Sequence, residues 1–177
     1  VYGGLMAALL EETGRYIAMR FLVKPMDFPN AFMYGAGHGG VEAMLLCGVA
    51  SISNIASAVM INSGTMSAQL ASLDAEKAAD TAAALSALWT TPSLTFFAGG
   101  VERIIAVVLH LSLSILVFQS IRKKSQKDLL NAYLFHFVID SLSVLLSAVA
   151  SVWVVELVVA LVTGGAVLMA KYACMEE

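Results

Sequence analysis

The sequence predicts an all-α protein, a polytopic membrane helix bundle of about five transmembrane helices with one short interfacial helix. Its composition is the first observation, because 59% of the 177 residues are hydrophobic and only 13% are charged, whereas a soluble domain carries about 25% charged residues. The second is a mean hydropathy of +0.83, and the third is the recurrence of apolar runs of roughly 20 residues, the length that spans a bilayer. A soluble chain this short has too little polar surface to cover so many apolar side chains, so lipid is the expected solvent.

The first two apolar runs predict two spans that differ from each other. The run over 1–23 is interrupted by charged residues, and the two prolines of 24–30 are expected to end it because proline cannot continue a helix. The second run, 31–62, is longer than a span requires. We therefore expect it either to tilt or to begin irregularly in its glycine-rich part.

Residues 63–93 are expected to form an extracytoplasmic loop, since they alone resemble a soluble segment. An Ala-rich pattern that ends near Trp89 and Pro92 predicts an interfacial helix within it. Three further spans are predicted over 96–121, 129–150 and 152–170. We treat 1–177 as a single transmembrane domain that is incomplete at its N-terminus, because Val1 already lies in a helical pattern.

The basic residues predict the orientation of these spans. Alternating spans place the loops 24–30 and 122–128 and the tail after residue 170 on one side, where the basic residues concentrate, while the loops of the other side contain only Lys77. Positive residues mark the cytoplasmic side, so we expect a multi-pass protein of the cell membrane. Because the net charge is -3 and no basic stripe exists, no nucleic-acid partner is expected.

Ionisable residues inside the predicted spans indicate function, because they are costly in hydrocarbon and therefore rare there. All three histidines of the chain lie in such spans. From the rise of a helix, Glu12 lies roughly 15 Å from the cytoplasmic end of its span, His38 and His136 roughly 12 Å, and His110 roughly 16 Å. Four helices are thus expected to bring a carboxylate or an imidazole to one layer.

Charged residues accompany these side chains at helical spacing. An arginine one turn after two glutamates can pair with either and keep it ionised. A carboxylate one turn from a histidine can fix the tautomer of a metal-bound imidazole, and three histidines with a carboxylate suit Zn²⁺. The pairs are Glu11–Arg15, Glu12–Arg15, His38–Glu42 and His136–Asp140, and Glu102–Arg103 lies two turns before His110.

Simpler roles exist for several of these residues. A single membrane histidine is more often an interhelical hydrogen-bonding residue than a ligand. Near the outer ends of their spans, Glu102 and Arg103 could form a solvated pair, and Glu156 is expected to form a structural hydrogen bond in its protonated form. The glycines of 35–40 are expected to let neighbouring backbones approach closely.

Four short motifs follow one another in an order that is typical of a known family. They are Glu11-Glu12-Thr13-Gly14-Arg15, Gly37-His38-Gly39-Gly40-Val41-Glu42-Ala43, Glu102-Arg103 followed by His110, and His136-Phe137-Val138-Ile139-Asp140. With them the chain resembles the YhfC-type intramembrane metalloproteases, and more widely the CAAX-prenyl-protease, bacteriocin-processing and PrsW-type membrane proteases. The wider group carries a phenylalanine four residues before its middle histidine. No phenylalanine precedes His38 at that spacing, so either His38 or His110, or both, would take that role.

The resemblance implies an intramembrane peptidase of a bacterial plasma membrane that hydrolyses a peptide bond in a membrane-embedded or membrane-proximal protein, through a water activated by glutamate and histidine residues on a zinc ion. Without a metal, a water activated by glutamate, with histidine donors to the oxyanion, would be the fallback. The expected catalytic residues are Glu11, Glu12, Arg15 and Asp140, the metal ligands His38, His110 and His136, and the supporting residues Glu42, Glu102 and Arg103. Two alternatives stay open. A membrane transporter or proton relay would use the same buried cluster, and a bis-histidine haem protein would bind its cofactor between facing helices.

Overall fold

A computed structural model describes residues 1–175. The fold of these residues consists of helices. The described part of the chain contains no strand, which confirms the all-α prediction. Two five-residue π-helical segments, Ala18–Leu22 and Met44–Gly48, continue α1 and α2 respectively. The α-helices are α1 Tyr2–Ile17, α2 Phe28–Ala43, α3 Val49–Asn62, α4 Thr65–Ala71, α5 Ala75–Thr90, α6 Ser93–Lys123, α7 Gln126–Ser147 and α8 Val152–Met175.

Four of the described helical stretches are long and apolar enough to cross a membrane. They are Phe28–Asn62, which joins α2 to α3, and the helices α6, α7 and α8. The predicted helical membrane bundle is therefore confirmed. The helix formed by α1 and its π-helical continuation does not meet the same criterion, because Glu11, Glu12 and Arg15 lie in its middle. It nevertheless belongs to the bundle, since α1 packs extensively against α7.

The chain divides into two compact units. The first unit comprises Val1–Ala43 and Val101–Glu177, and therefore contains α1, α2, α7, α8 and most of α6. Its core is built on Leu113, Leu116 and Val117 of α6, which have no exposed surface. Alanines on α2, α7 and α8 complete this core and let the helices approach α6 closely. All ten predicted site residues belong to the first unit.

The second unit, Met44–Gly100, contains α3, α4, α5 and the start of α6. Where one interfacial helix was predicted, residues 63–93 form two helices, and the longer one, α5, ends at Thr90 as expected. Asp74 begins α5, because its side chain accepts hydrogen bonds from the backbone N–H and the Nζ of Lys77. These bonds lower the pKa of the Asp74 carboxyl. The extracytoplasmic position of this segment and the single-domain organisation stay predictions.

Of the two alternatives given for the second span, tilt or an irregular start in its glycine-rich part, the irregular start is wrong. Helix α2 is regular through Ala43, and it begins at Phe28 rather than near residue 31, because proline is tolerated in a first turn, where its missing N–H has no helical partner. A Cβ on Gly35 would lie 2.8 Å from the Leu111 Cα, and one on Gly39 would lie 3.0 Å from the Val107 Cα. These two glycines therefore allow α2 to contact the backbone of α6.

Candidate active site

A buried ion pair joins Glu12 and Arg15, which lie one turn apart on the same face of α1. Neither side chain has exposed surface, and Arg15 Nε lies 3.0 Å from Glu12 Oε2. The Arg15 guanidinium also donates to the His110 carbonyl oxygen at 2.9 Å and to Ser114 Oγ at 2.5 Å, and it lies 2.8 Å from His110 Nδ1. Arg15 therefore fixes α1 against α6 and orients the His110 ring.

The buried His136 of α7 is held by the second oxygen of Glu12. His136 Nδ1 lies 2.7 Å from Glu12 Oε1, a distance typical of a hydrogen bond to a charged acceptor. The other nitrogen, Nε2, lies 3.5 Å from Asp140 Oδ2 and 3.8 Å from Glu11 Oε2. Asp140 was expected to orient His136 from the same helix, but the carboxylate in closest contact with the ring is Glu12 of α1.

The remaining two histidines contact carboxylates of other helices. His38 Nε2 lies 2.9 Å from Glu11 Oε2, and His110 Nε2 lies 2.5 Å from Glu42 Oε2. The helical spacing predicted that Glu42 would accompany His38. Glu42 instead points across to α6, so each of these imidazole–carboxylate pairs joins two helices.

Arg103 connects Glu42 to a fourth glutamate of the site, Glu102. Its guanidinium lies 3.3 Å from Glu42 Oε1 and 2.5 Å from Glu102 Oε1. Because Glu42 contacts His110 through its other oxygen, Arg103 holds this carboxylate in place. The Glu102–Arg103 pair is therefore a part of the network rather than an isolated solvated pair.

The structure brings all ten predicted site residues into one network of contacts. Sequence analysis missed Ser114, which accepts a hydrogen bond from Arg15. Its spacing of four residues from His110 was the available indication, since it places both side chains on one face of α6. Tyr34 was also missed, although its ring centroid lies only 6.1 Å from that of His38.

Four side chains of this network fit a divalent metal ion. Glu11, His38, Glu42 and His110 each offer one ligand atom, and these atoms all lie within 4.8 Å of one another. Ligands of a tetrahedral zinc are about 3.4 Å apart, so small side-chain adjustments would close the group around an ion. Two imidazoles and two carboxylates are also the donors that zinc accepts. His136 lies outside this group, although its ring centroid is 5.6 Å from that of His110.

A cavity of about 80 Å³ opens beside these side chains. It has room for a water molecule. Glu12 does not line it and has no exposed surface. The polar residues that line the cavity are Glu11, Glu42, Glu102, Arg103, His110, His136, Asp140 and Ser143.

Comparison with known proteins identifies the family to which the chain belongs. A model of the YhfC intramembrane metalloprotease family matches residues 1–159, which include the whole network. The chain belongs to this family. It is 38% identical over 165 residues, 92% of its length, to the uncharacterized membrane protein YhfC of Bacillus subtilis (strain 168), and it spans 63% of the length of that relative. No solved structure matches the chain.

Proposed function

We propose that the chain is an intramembrane metallopeptidase that hydrolyses a peptide bond of a membrane-embedded or membrane-proximal protein. The observation that carries this proposal is the group of four ligand atoms within 4.8 Å of one another. Three of the four residues, Glu11, Glu42 and His110, line a cavity with room for water. Membership of the YhfC intramembrane metalloprotease family supports it. The excess of basic residues in the predicted cytoplasmic loops supports the predicted orientation in a cell membrane, and the similarity to a membrane protein of Bacillus subtilis supports a bacterial plasma membrane.

His38, Glu42 and His110 are the proposed zinc ligands. Catalytic zinc sites use three protein ligands, often two histidines and a glutamate, whereas a fourth protein ligand is typical of a structural site. This leaves Glu11 of the four-residue group for the chemistry. Zinc, when bound, would supply Lewis acidity, which makes water more acidic and polarises a carbonyl group.

Glu11 is the proposed general base. Its carboxylate lines the cavity, and its side chain is 33% exposed, whereas that of Glu12 is fully buried. Glu11 would take a proton from the attacking water as the water oxygen bonds to the carbonyl carbon. It would return this proton to the amine as the carbon–nitrogen bond breaks.

Glu12 and Arg15 act as positioning residues for His136. Arg15 holds the Glu12 carboxylate, which accepts a hydrogen bond from Nδ1 of His136. This contact turns Nε2 toward Glu11 and Asp140 at the cavity wall. In its protonated form, His136 would donate from Nε2 to the oxyanion that develops on the substrate carbonyl, the kind of preorganised donor that stabilises such a transition state.

The ligand assignment is tested by metal content, measured by mass spectrometry on protein purified in detergent without chelators. We expect about one zinc per chain in the wild-type protein, loss of zinc in His110→Ala, and retention of zinc in His136→Ala and Glu11→Gln. The exposed Glu76→Gln serves as the matched charge control. Loss of zinc in His136→Ala would instead support the three-histidine set, and absence of zinc from every protein would refute the metal assignment.

The catalytic assignment needs a second measurement. Wild-type protein and Glu11→Gln are assayed with a fluorogenic peptide library in detergent micelles, and the variant is expected to lose at least about 100-fold in rate because a general base contributes 10²–10⁴-fold. Full activity of Glu11→Gln would refute its role. Proton-coupled flux in liposomes without any hydrolysis would favour the transporter alternative.

A further inference from the structure

A second cavity adjoins the candidate active site. Its volume is about 380 Å³, and it lies between the C-terminal end of α7 and the first turns of α8. Glu102 and Ser143 line both cavities. This volume lies in the range of pockets that bind small ligands, about 300–1,000 Å³. A group bound there would therefore be next to the Glu/His network.

Glu156 of α8 lines this second cavity and has an unusual environment. The residue is only 8% exposed, and its Oε2 has no hydrogen-bond partner among the described residues, so the structural hydrogen bond expected for Glu156 is not found at this oxygen. The nearby cation, Arg103, contacts Glu42 and Glu102 instead. A buried carboxylate oxygen without a partner is costly, and a cationic group in the cavity would remove that cost.

We infer that the second cavity binds a basic side chain of the substrate, with Glu156 as its counter-ion. This inference rests on the proposed peptidase function and assigns it a substrate class, peptides with a lysine or arginine close to the cleaved bond. Both Glu156 and Glu102 line the cavity, and none of the described lysine, arginine or histidine residues does. A cationic occupant is therefore favoured over an anionic or an apolar one.

The geometry also limits the position of the basic residue in the substrate. Val159 lines the first cavity and follows Glu156 by three residues on α8, a rise of roughly 4.5 Å. An extended peptide advances about 3.3 Å per residue. Because the two cavities also share Glu102 and Ser143, we expect the basic residue within a few residues of the cleaved bond. In the predicted orientation it enters from the extracytoplasmic side, because the cavity includes Ala150 of the turn between α7 and α8.

Binding of two labelled peptides tests the inference. They are otherwise identical alanine-rich peptides with a single lysine or with norleucine, which has the same aliphatic stem without the charge, and affinity for the detergent-purified protein is measured by fluorescence anisotropy. We expect the lysine peptide to bind about tenfold tighter, which corresponds to about 1.4 kcal/mol. Glu156→Gln should abolish the preference, and the control Glu76→Gln should retain it.

Reversing the charge of Glu156 makes the test more specific. Glu156→Lys is expected to prefer a glutamate peptide over the lysine peptide, which a general attraction of cations to the protein would not produce. Equal affinity of the wild-type protein for both peptides would overturn the inference, as would a tenfold preference that survives Glu156→Gln. If Glu156→Gln does not fold, equal affinity of the wild-type protein for both peptides still overturns the inference, and a reversed preference of Glu156→Lys still supports it.

Failure of the cavity assignment can be distinguished from failure of the peptidase proposal, because binding requires no cleavage. A lysine preference that depends on Glu156, without hydrolysis of either peptide, would support the cavity and refute the peptidase. Hydrolysis of both peptides at equal rates, unchanged by Glu156→Gln, would refute the cavity and leave the peptidase intact.

Discussion

Replacing Arg15 by methionine is expected to destabilise the protein more than any substitution of an exposed arginine. The guanidinium is fully buried and contacts Glu12, the backbone carbonyl of His110 and the hydroxyl of Ser114. Methionine has a similar aliphatic stem, so the change removes the charge and the donors but little volume. Glu12 would then remain buried with His136 as its only described hydrogen-bond partner.

The magnitude follows from these contacts. Removing one partner of a buried ion pair costs about 3–5 kcal/mol, because an uncompensated charge stays in a medium of low dielectric constant. We expect Arg15→Met to fall in this range. The double variant Glu12→Gln/Arg15→Met removes both charges and lets the glutamine oxygen still accept from His136, so it should be at least about 2 kcal/mol more stable than the sum of the single effects.

Unfolding in mixed micelles, followed by circular dichroism, measures these differences. The matched control is Arg20→Met on the π-helical continuation of α1, where the arginine is exposed and the change should remain within about 0.5 kcal/mol. An Arg15→Met protein whose unfolding free energy lies within about 1 kcal/mol of wild type would refute the reasoning, and so would additive single and double variants.

Two other predictions concern the helices. Gly35→Ala should destabilise the protein by about 1–3 kcal/mol, because its Cβ would meet the α6 backbone at 2.8 Å, whereas Gly37→Ala, with no described atom within 4 Å, should be neutral or stabilising in the same unfolding assay. Because the pKa of Asp74 is lowered, its contribution to the stability of α5 is complete above the ordinary pKa of an aspartate and is lost as the pH falls through the lowered value. An NMR titration that finds the pKa of this carboxyl at or above the ordinary value would contradict the assigned hydrogen bonds.

The common depth of the site residues was predictable from the sequence, because the rise per residue of a helix is fixed. His38, His110 and His136 were expected in one layer, and their ring centroids form a series with separations of 4.7 Å and 5.6 Å. Likewise, Glu12 and Arg15 pair as their spacing of three residues allows. Such relations are local in the chain, so one sequence contains the information that determines them.

The partners across helices were not predictable in the same way. Spacing along a helix tells which side chains share a face, but not which neighbouring helix that face meets. Glu42 therefore contacts His110 rather than His38, and Glu12 rather than Asp140 makes the closest contact with His136. The π-helical segment Met44–Gly48 was not predictable either. It rotates the faces of the helix that follows it, but no proline in the sequence indicates its position.

The charges of α1 also affect how the protein is made. An arginine, lysine or aspartate at the centre of a membrane helix raises the free energy of insertion by about 2.5–3.5 kcal/mol, and α1 carries three charged residues in its middle. The partners of Arg15 on α6 and of Glu12 on α7 lie 95 and 124 residues further along the chain. We therefore expect helix α1 to reach its final depth only after α6 and α7 have been synthesised, which would make stable integration of α1 and assembly of the site a single event in biogenesis.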